Sequence, residues 1–504
     1  MLYGTYRMLV LASVGQIQVE MHEQIQRLLD DHREQLEQTA LKFVLGEVSP
    51  TSMCEFETQI AEQVRELARQ LMERVLNLLE AADPQTMPPH AQFQAGGYRR
   101  LNQKTRNAHV GTLFGSIELW RYPYRYWHRG MPEQCLFPLE MQLGLLQGAT
   151  PALADAVGRY MAQAGATQQS VLERLKSQHR LCWGTERLRD LTHDLAQGFQ
   201  GLTEEFQVRR ILELLEKAEH SRGRCRPVLS VGRDGVTLRE YRYRFFEHAT
   251  VGTVAVYDRA GNRLGTVYLA FPPQLGQAQM TARLTALLRE ILQRWQGPLP
   301  RLTYVTDAGE NETKYYRTVL RSMQHPRTGE KLHWFRIIDY YHAAERIWTM
   351  AAALFGPDNP QGRSWALRMC RLLKKSSGPS RVLHSAAALR GRRRLSKSRA
   401  AEYRKAYNYI RCRSKFMQYH EYKRWNLPLG SGVTEAACKT VVAQRLKLSG
   451  MRWGKAGSQM ILNLRVVLLS GIWQPLYREF LQTRKPDELR TYGPLPQAAM
   501  RHAA

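Results

Sequence analysis

Three acidic residues, far apart along the chain, occupy positions where a carboxylate can do chemistry. Asp234 follows the short apolar run 228–233, Asp307 follows the run 302–306, and Glu435 stands just after Gly430-Ser431-Gly432, in the first turn of a helix that starts there. Carboxylate oxygens suit hard divalent ions such as Mg²⁺, which His or Cys would hold poorly. Two such ions, about 3.5–4 Å apart, stabilise both the attacking and the leaving oxygen when a phosphodiester is cut or rejoined. Each residue also has an ordinary explanation. Asp-Gly is a common turn, and a first-turn glutamate is favoured by the unpaired N–H groups and the helix dipole. Glu310 and Glu312 lie close to Asp307 and are rivals for an ion, but Asp307 directly follows the strand pattern.

The 504 residues allow two to four domains and a large buried core. Lys plus Arg number 73 against 45 Asp plus Glu, a net charge of +28 that makes a polyanion, and first of all nucleic acid, the expected partner. No apolar run approaches the roughly eighteen residues that a membrane span requires. The seven cysteines are scattered without a CxxC pair, which argues against a disulfide framework or a zinc ribbon. That usage fits the reducing cytosol, and the charge fits association with the nucleoid. The apolar stretch 8–14 is too short for a signal core, and residues 1–20 read as an extension upstream of the fold.

The elements that must position the three carboxylates follow from periodicity. Residues 21–90 form a helical N-terminal region, in which Ile60, Val64, Leu67, Leu71, Val75 and Leu78 make one apolar stripe. The stripe suits packing in a bundle or against a second subunit, and Pro84, Pro88 and Pro89 end the region. Residues 91–222 read as a DNA-binding region. Its stretch 108–127 alternates as a β-hairpin around Gly115-Ser116, with Arg121, Arg125 and several aromatics on the second arm. Those residues suit nucleic-acid stacking and equally suit an ordinary strand. Three short helices then open near Ala152, Thr167 and Thr185, compatible with a helix-turn-helix or a plain bundle; Arg187 and Arg189 favour DNA.

The span 223–355 reads strand, strand, strand, helix, strand, helix, strand, helix: a mixed sheet in which strands one and four lie adjacent and parallel. Asp234 and Asp307 fall at the carboxyl ends of those two strands, the edge where open α/β sheets build their sites. The fold class is therefore α/β, α+β overall. A basic helical insertion spans 356–425, since residues 363–424 hold 19 Lys or Arg against only Glu402 and Glu421. Its densest run, 390–399, offers Arg392, Arg393, Arg394 and Lys397 to DNA phosphates. Residues 426–482 return to the domain with the Glu435 helix, whose apolar face is Val433, Ala437, Val441, Val442 and Leu446. Lys439, Arg445, Lys447 and Arg452 on and after it are further phosphate-seeking cations. The tail 483–504 reads as a loose fringe.

This strand order resembles the ribonuclease H fold, and Asp234, Asp307 and Glu435 look like the DDE triad of transposases and retroviral-type integrases. More narrowly, LGSG at 429–432, Glu435 to Lys439, QRLK at 444–447 and GMRW at 450–453 closely resemble the carboxyl-terminal signature of bacterial insertion-sequence transposases of the Kra type. The resemblance covers roughly residues 90–480. It implies a two-metal site on the three carboxylates, with Mg²⁺ or substituting Mn²⁺. It implies double-stranded DNA as partner, both as terminal inverted repeats and as target, and a homodimer or higher oligomer acting on it. Asp339-Tyr340-Tyr341-His342 is similar to the C/D-x-x-H motif of Mutator-related transposases, which makes Asp339 and His342 accessory residues. Two other expectations remain beside it: a ribonuclease H-fold nuclease or resolvase that only hydrolyses, and a DNA-binding regulator with a dead site.

Overall fold

The computed structural model describes residues 2–80, 98–126, 134–239, 246–274 and 277–484. The expected proline break at Pro84–Pro89, part of the strand pattern 242–247 and nearly all of the tail lie outside them. The chain is mixed α+β and divides into two compact units. One comprises residues up to Met161 with Ala166–Leu195 and the residues from Tyr477 on; the other comprises Ala162–Gly165 and Ala196–Leu476. The second unit thus takes in residues 196–222, which the sequence pattern assigned to the preceding region.

In the first unit, α1 (Leu2–Leu45) runs through position 20 without a break and α2 (Pro50–Leu78) folds back along it. Ser49 caps α2 through a reciprocal capping box with Ser52, and Phe43 stacks on Phe56 at 4.5 Å across the turn. The Ile60–Leu78 stripe is only half covered, and no residue of α2 is fully buried. Short strands β1 (Tyr98–Arg100), β4 (Tyr124–Tyr126) and β5 (Gln134–Leu136) form one antiparallel sheet, while β2 (Thr105–Thr112) and β3 (Gly115–Arg121) form a hairpin. The hairpin turn falls at Leu113-Phe114, just before the expected Gly115-Ser116. The Thr112 hydroxyl organises it, accepting from the Phe114 N–H and donating to the Gly115 carbonyl, and Gly115 takes the φ of +144° that the exit requires.

Three helices follow: α3 (Pro138–Gln142), α4 (Pro151–Ala162) and α5 (Gln168–His179), the last with Thr167 as its N-cap as expected. The third expected short helix is instead α6 (Thr185–Glu219), 35 residues long. Gly198 and Gly201 lie inside it, at a cost of about 1 kcal/mol each relative to Ala. Burial of Phe199, Val208, Ile211, Leu214 and Leu215 farther along the helix outweighs that cost.

The second unit is built on a five-stranded mixed sheet of order β10-β9-β6-β7-β8. Strands β6 (Val228–Arg239), β7 (Phe246–Tyr257) and β8 (Arg263–Phe271) form an antiparallel meander. After α7 (Ala278–Arg294), β9 (Arg301–Thr306) lies parallel to β6, so the pairing expected for strands one and four is the one observed. Next come α8 (Glu310–Thr318), β10 (Trp334–Ile338) parallel to β9, and α9 (Tyr340–Phe355). One apolar cluster packs the sheet against α6, α7 and α8; another packs it against α9 and the helices that follow.

Those are α10 (Pro360–Leu373), α11 (Gly378–Gly391), α12 (Lys397–Arg413) and α13 (Tyr419–Arg424), so the basic insertion is an ordered helical layer. Its inner face buries Trp365, Val382, Tyr403, Ile410 and Tyr419, and the Tyr419 hydroxyl donates to the Ile338 carbonyl at the end of β10. The chain returns through α14 (Gly432–Ala437), a π-helical turn (Cys438–Ala443), α15 (Gln444–Leu446), α16 (Lys455–Leu469) and α17 (Trp473–Thr483). Among the described residues no single helix is long and apolar enough to cross a membrane.

Candidate active site

Sheet register brings the two aspartates together. The parallel pairing of β6 with β9 runs to Gly232 opposite Val305; two residues farther along each strand stand Asp234 and Asp307. Asp234 is not at a turn, however. Strand β6 continues to Arg239, paired with β7 throughout, and Asp234 sits opposite Val251. The Asp-Gly turn signal is overridden because the antiparallel partner supplies ladder bonds well past the point where β9 ends.

Gly232 and Asp234 share one face of the sheet, the face that α14 approaches. A Cβ on Gly232 would run into the Thr434 hydroxyl, which itself meets the Thr253 hydroxyl of β7 at 2.8 Å. This close approach fixes α14 on the sheet beside Asp234, whose Oδ2 accepts from the Cys438 thiol at 3.5 Å and whose Oδ1 accepts from the Gly235 N–H at 2.7 Å. Burial pushes the Asp234 carboxyl above its ordinary range, and the nearby charges of Asp307 and Glu435 push it the same way. Asp234 therefore feels both of the other sequence-predicted carboxylates.

Asp307 leaves β9 in a tight bend. Ala308 takes φ +69°, rare for a residue with a Cβ, and the Gly309 N–H donates to Asp307 Oδ1 at 3.0 Å. From the insertion, the Tyr409 hydroxyl donates to the Asp307 carbonyl at 2.7 Å, and Arg346 and Arg413 lie over the Tyr409 ring. Sequence reasoning did not single out Tyr409, which lies about a hundred residues downstream and carries no motif.

Asp339 and His342 converge on Glu435. Asp339 is completely buried and caps α9, accepting from the N–H groups of Tyr341 and His342. Its other oxygen accepts from the Ser431 N–H and lies 2.6 Å from the Ser431 hydroxyl, which is also 2.7 Å from Glu435 Oε1. One hydroxyl hydrogen serves only one of these carboxylates at a time. His342 Nε2 stands 3.5 Å from Glu435 Oε1, and its Nδ1 stands 3.1 Å from Glu345. Asp339 is thus a capping residue that pins the 430–432 loop to α9, and His342 is the group that touches Glu435.

Burial would lower the His342 pKa, but Glu345, Asp339 and Glu435 outweigh it and hold it above the usual histidine value. A histidine raised in this way contributes stability that is complete below about pH 6.5, its unfolded value, and is lost as pH rises through the folded value. His342→Gln is expected to flatten the fall of melting temperature above pH 6.5, by less than about 1 kcal/mol because the ring is partly exposed. Melting curves of both proteins across that range, monitored by circular dichroism, test this.

The eight expected DNA-binding cations divide by burial. Arg392, Arg394, Lys397, Lys439, Lys447 and Arg452 are exposed. Arg393 instead donates to the Leu354 carbonyl at 3.1 Å and covers the Phe355 ring. Arg445 is 1% exposed, lies over Trp453 at 5.0 Å, and burial lowers its pKa to about 10, so it is a core residue and not a phosphate ligand. In the first unit, Arg187 donates to the carbonyls of Gln147 and His109, and Arg121 is buried against Glu140. Arg121 thus follows the ordinary-strand alternative, and Arg187, which favoured DNA, is engaged within the protein instead. Converting Arg392, Arg394 and Lys397 together to Gln is expected to weaken duplex binding uniformly across sequences. The slope of log K against log salt should become shallower by about 0.9 for each phosphate that is no longer neutralised, as fluorescence anisotropy titrations would register.

No family model matches this chain, and no curated protein matches it. The site is therefore read from its own chemistry. Its donors are carboxylate oxygens, the set that suits Mg²⁺ or Mn²⁺, and the crowding of Asp234 by two like charges is what a bound cation would relieve. Among the described residues no three His, Cys, Asp or Glu side chains are gathered tightly enough to enclose an ion. Glu435 is half exposed and turned toward Ser431 and His342. Holding a shared ion would require its side chain to swing toward Asp234.

Proposed function

We propose that this chain is a DNA transposase of the DDE kind, with a ribonuclease H-like domain in its second unit. On this reading it binds the terminal inverted repeats of its own insertion sequence, cleaves at the ends and joins the freed 3′-hydroxyl to target DNA. The observation that carries the reading is convergence. Residues 234, 307 and 435 lie on three separate elements, yet Asp234 is perturbed by both of the others.

Asp234, Asp307 and Glu435 would hold two divalent ions, which when bound supply charge stabilisation to the oxygens on either side of the reacting phosphorus. The chain's own residues orient the rest. The Gly235 and Gly309 N–H groups aim the two aspartates, Ser431 and His342 steer Glu435, and Asp339 fixes the loop that carries Ser431. The exposed cations of the insertion and of 439–452 would grip the phosphates flanking the cut. Joining two ends calls for at least two subunits; the exposed Val44, Leu45 and Val48 at the tip of the α1–α2 hairpin give a second copy apolar surface to cover.

The test uses the full chain with Mg²⁺ and two substrates: duplexes carrying the repeats that flank its gene, and the same ends pre-cut to expose a 3′-hydroxyl beside a target plasmid. Cleavage of the first and joined product from the second are expected. Cleavage without joining would replace the proposal with a hydrolytic nuclease. Binding with neither reaction, in Mg²⁺ or Mn²⁺, would replace it with a DNA-binding regulator.

A further inference from the structure

We infer that Glu312 is a fourth carboxylate of this site, binding the ion held by Asp307; the inference rests on the metal-dependent reading above and adds a residue to it. Glu312 lies in the first turn of α8 and is 7% exposed. Its neighbour Glu310, in the same turn, is exposed and suffices to complement the helix dipole. Nothing about capping therefore calls for burying a second carboxylate, and burial without a partner is costly.

Among the described residues no ion pair or hydrogen bond from another residue engages the Glu312 side chain; the one donor acting on it is its own backbone N–H. Arg233, the cation whose charge reaches Glu312, is engaged elsewhere. Its guanidinium donates to the Gln277 side chain, at 2.6 and 3.1 Å, to the Gln277 carbonyl and to the Thr281 hydroxyl.

The geometry at Gly309 gives the direction in which Glu312 points. A Cβ built on Gly309 would run into Glu312 Oε2 and would also lie 3.5 Å from Asp307 Oδ1. Both carboxylates thus border the same small space above Gly309, a residue that has no side chain to fill it. The charges facing Glu312 are those of Asp307, Arg233 and Asp234, and the negative pair works with burial to disfavour its ionised form. A divalent ion on the Asp307 side reverses that balance, supplying the partner that the protein interior withholds.

Mn²⁺ binding to the full chain without DNA, followed by electron paramagnetic resonance and calorimetry, separates this inference from the function it builds on. Glu312→Gln is expected to weaken the ion shared with Asp307 by about tenfold or more, with a metal-free circular dichroism melt no lower than that of the wild type. The double variant with Asp307→Asn should be no worse than Asp307→Asn alone. Glu310→Gln should titrate as wild type, and Glu312→Asp, which keeps the charge on a shorter stem, should fall between. If Asp307→Asn loses Mn²⁺ and Glu312→Gln does not, this inference is wrong and the metal site stands. If the wild-type chain itself takes up no Mn²⁺, both fall together.

Discussion

Asp234→Asn is expected to abolish Mg²⁺-supported DNA cleavage and at the same time to make the metal-free protein more stable. Removing one ligand forfeits several kcal/mol of charge stabilisation at the reacting phosphate, and at about 1.4 kcal/mol per tenfold that amounts to roughly a thousandfold or more in rate. Asp307→Asn and Glu435→Gln are expected to share the loss, with duplex binding retained, because the phosphate-gripping cations lie elsewhere.

The stability gain has a separate origin. Burial, Asp307 and Glu435 all raise the Asp234 carboxyl, so its ionised form is disfavoured in the fold. A raised carboxyl means that stability falls as pH rises from the ordinary value toward the folded one, and the deficit is complete only above the folded value. An amide carries no charge and keeps one oxygen for the Gly235 N–H, while its NH2 group faces the Cys438 sulfur, a weak acceptor. A gain on the order of 1 kcal/mol is expected, as when other functional residues that strain a fold are replaced. Calorimetric melts with and without Mn²⁺ give a clear contrast: wild type should gain stability on adding the ion, whereas the variant should start higher and gain little. A variant that melts lower without metal, or that cleaves at near wild-type rate, would remove Asp234 from the assigned role.

Arg465→Met is expected to give the largest loss of stability. Arg465 is buried, and its guanidinium donates to the carbonyls of Val441 at 2.8 Å, Thr440 and Ala162. Thr440 and Val441 belong to the π-helical turn that follows Glu435, where the i→i−4 ladder is interrupted and carbonyls need outside donors. Methionine fills similar volume but donates nothing, so buried carbonyls are left unpaired at about 1–3 kcal/mol each. Burial already lowers the Arg465 pKa to about 10, so part of the cost of confining a charge is recovered on removing it. A net loss near 3 kcal/mol, or roughly 6–12 °C in melting temperature, is expected. Cleavage should fall more than folding accounts for, since the turn sets the direction of Glu435. Unchanged melting would mean that water or relaxation replaces all three bonds.

What the sequence made legible, and what it hid, follows from the range of the interactions involved. The three-strand meander, the parallel neighbour and Asp307 at a strand end could be read because each is written in local alternation and a nearby break. Thr167 as a cap could be read for the same reason. Asp234 was placed at a strand end when it lies inside one, since the pairing with β7 decides how far β6 continues. Arg445 and Arg187 were counted as DNA-binding because charge is visible in sequence and burial is not. The third short helix became α6 because packing by residues beyond Phe199 offsets two glycines. Asp339 was expected as an accessory residue, and its four donors could be counted only once Ser431 was brought beside it.

The π turn after Glu435 has a further consequence. Such a turn is an α-helix with one surplus residue, so the segments before and after it are rotated by roughly 100° relative to an uninterrupted helix. The buried register of Val441, Val442 and Leu446 is thereby uncoupled from the bearing of Glu435. Spacing between residues 435 and 446 is accordingly as much a specification as composition: a one-residue deletion inside 438–443 would keep the helix regular and its apolar face buried, yet rotate Glu435 away from the position from which its side chain can swing toward Asp234.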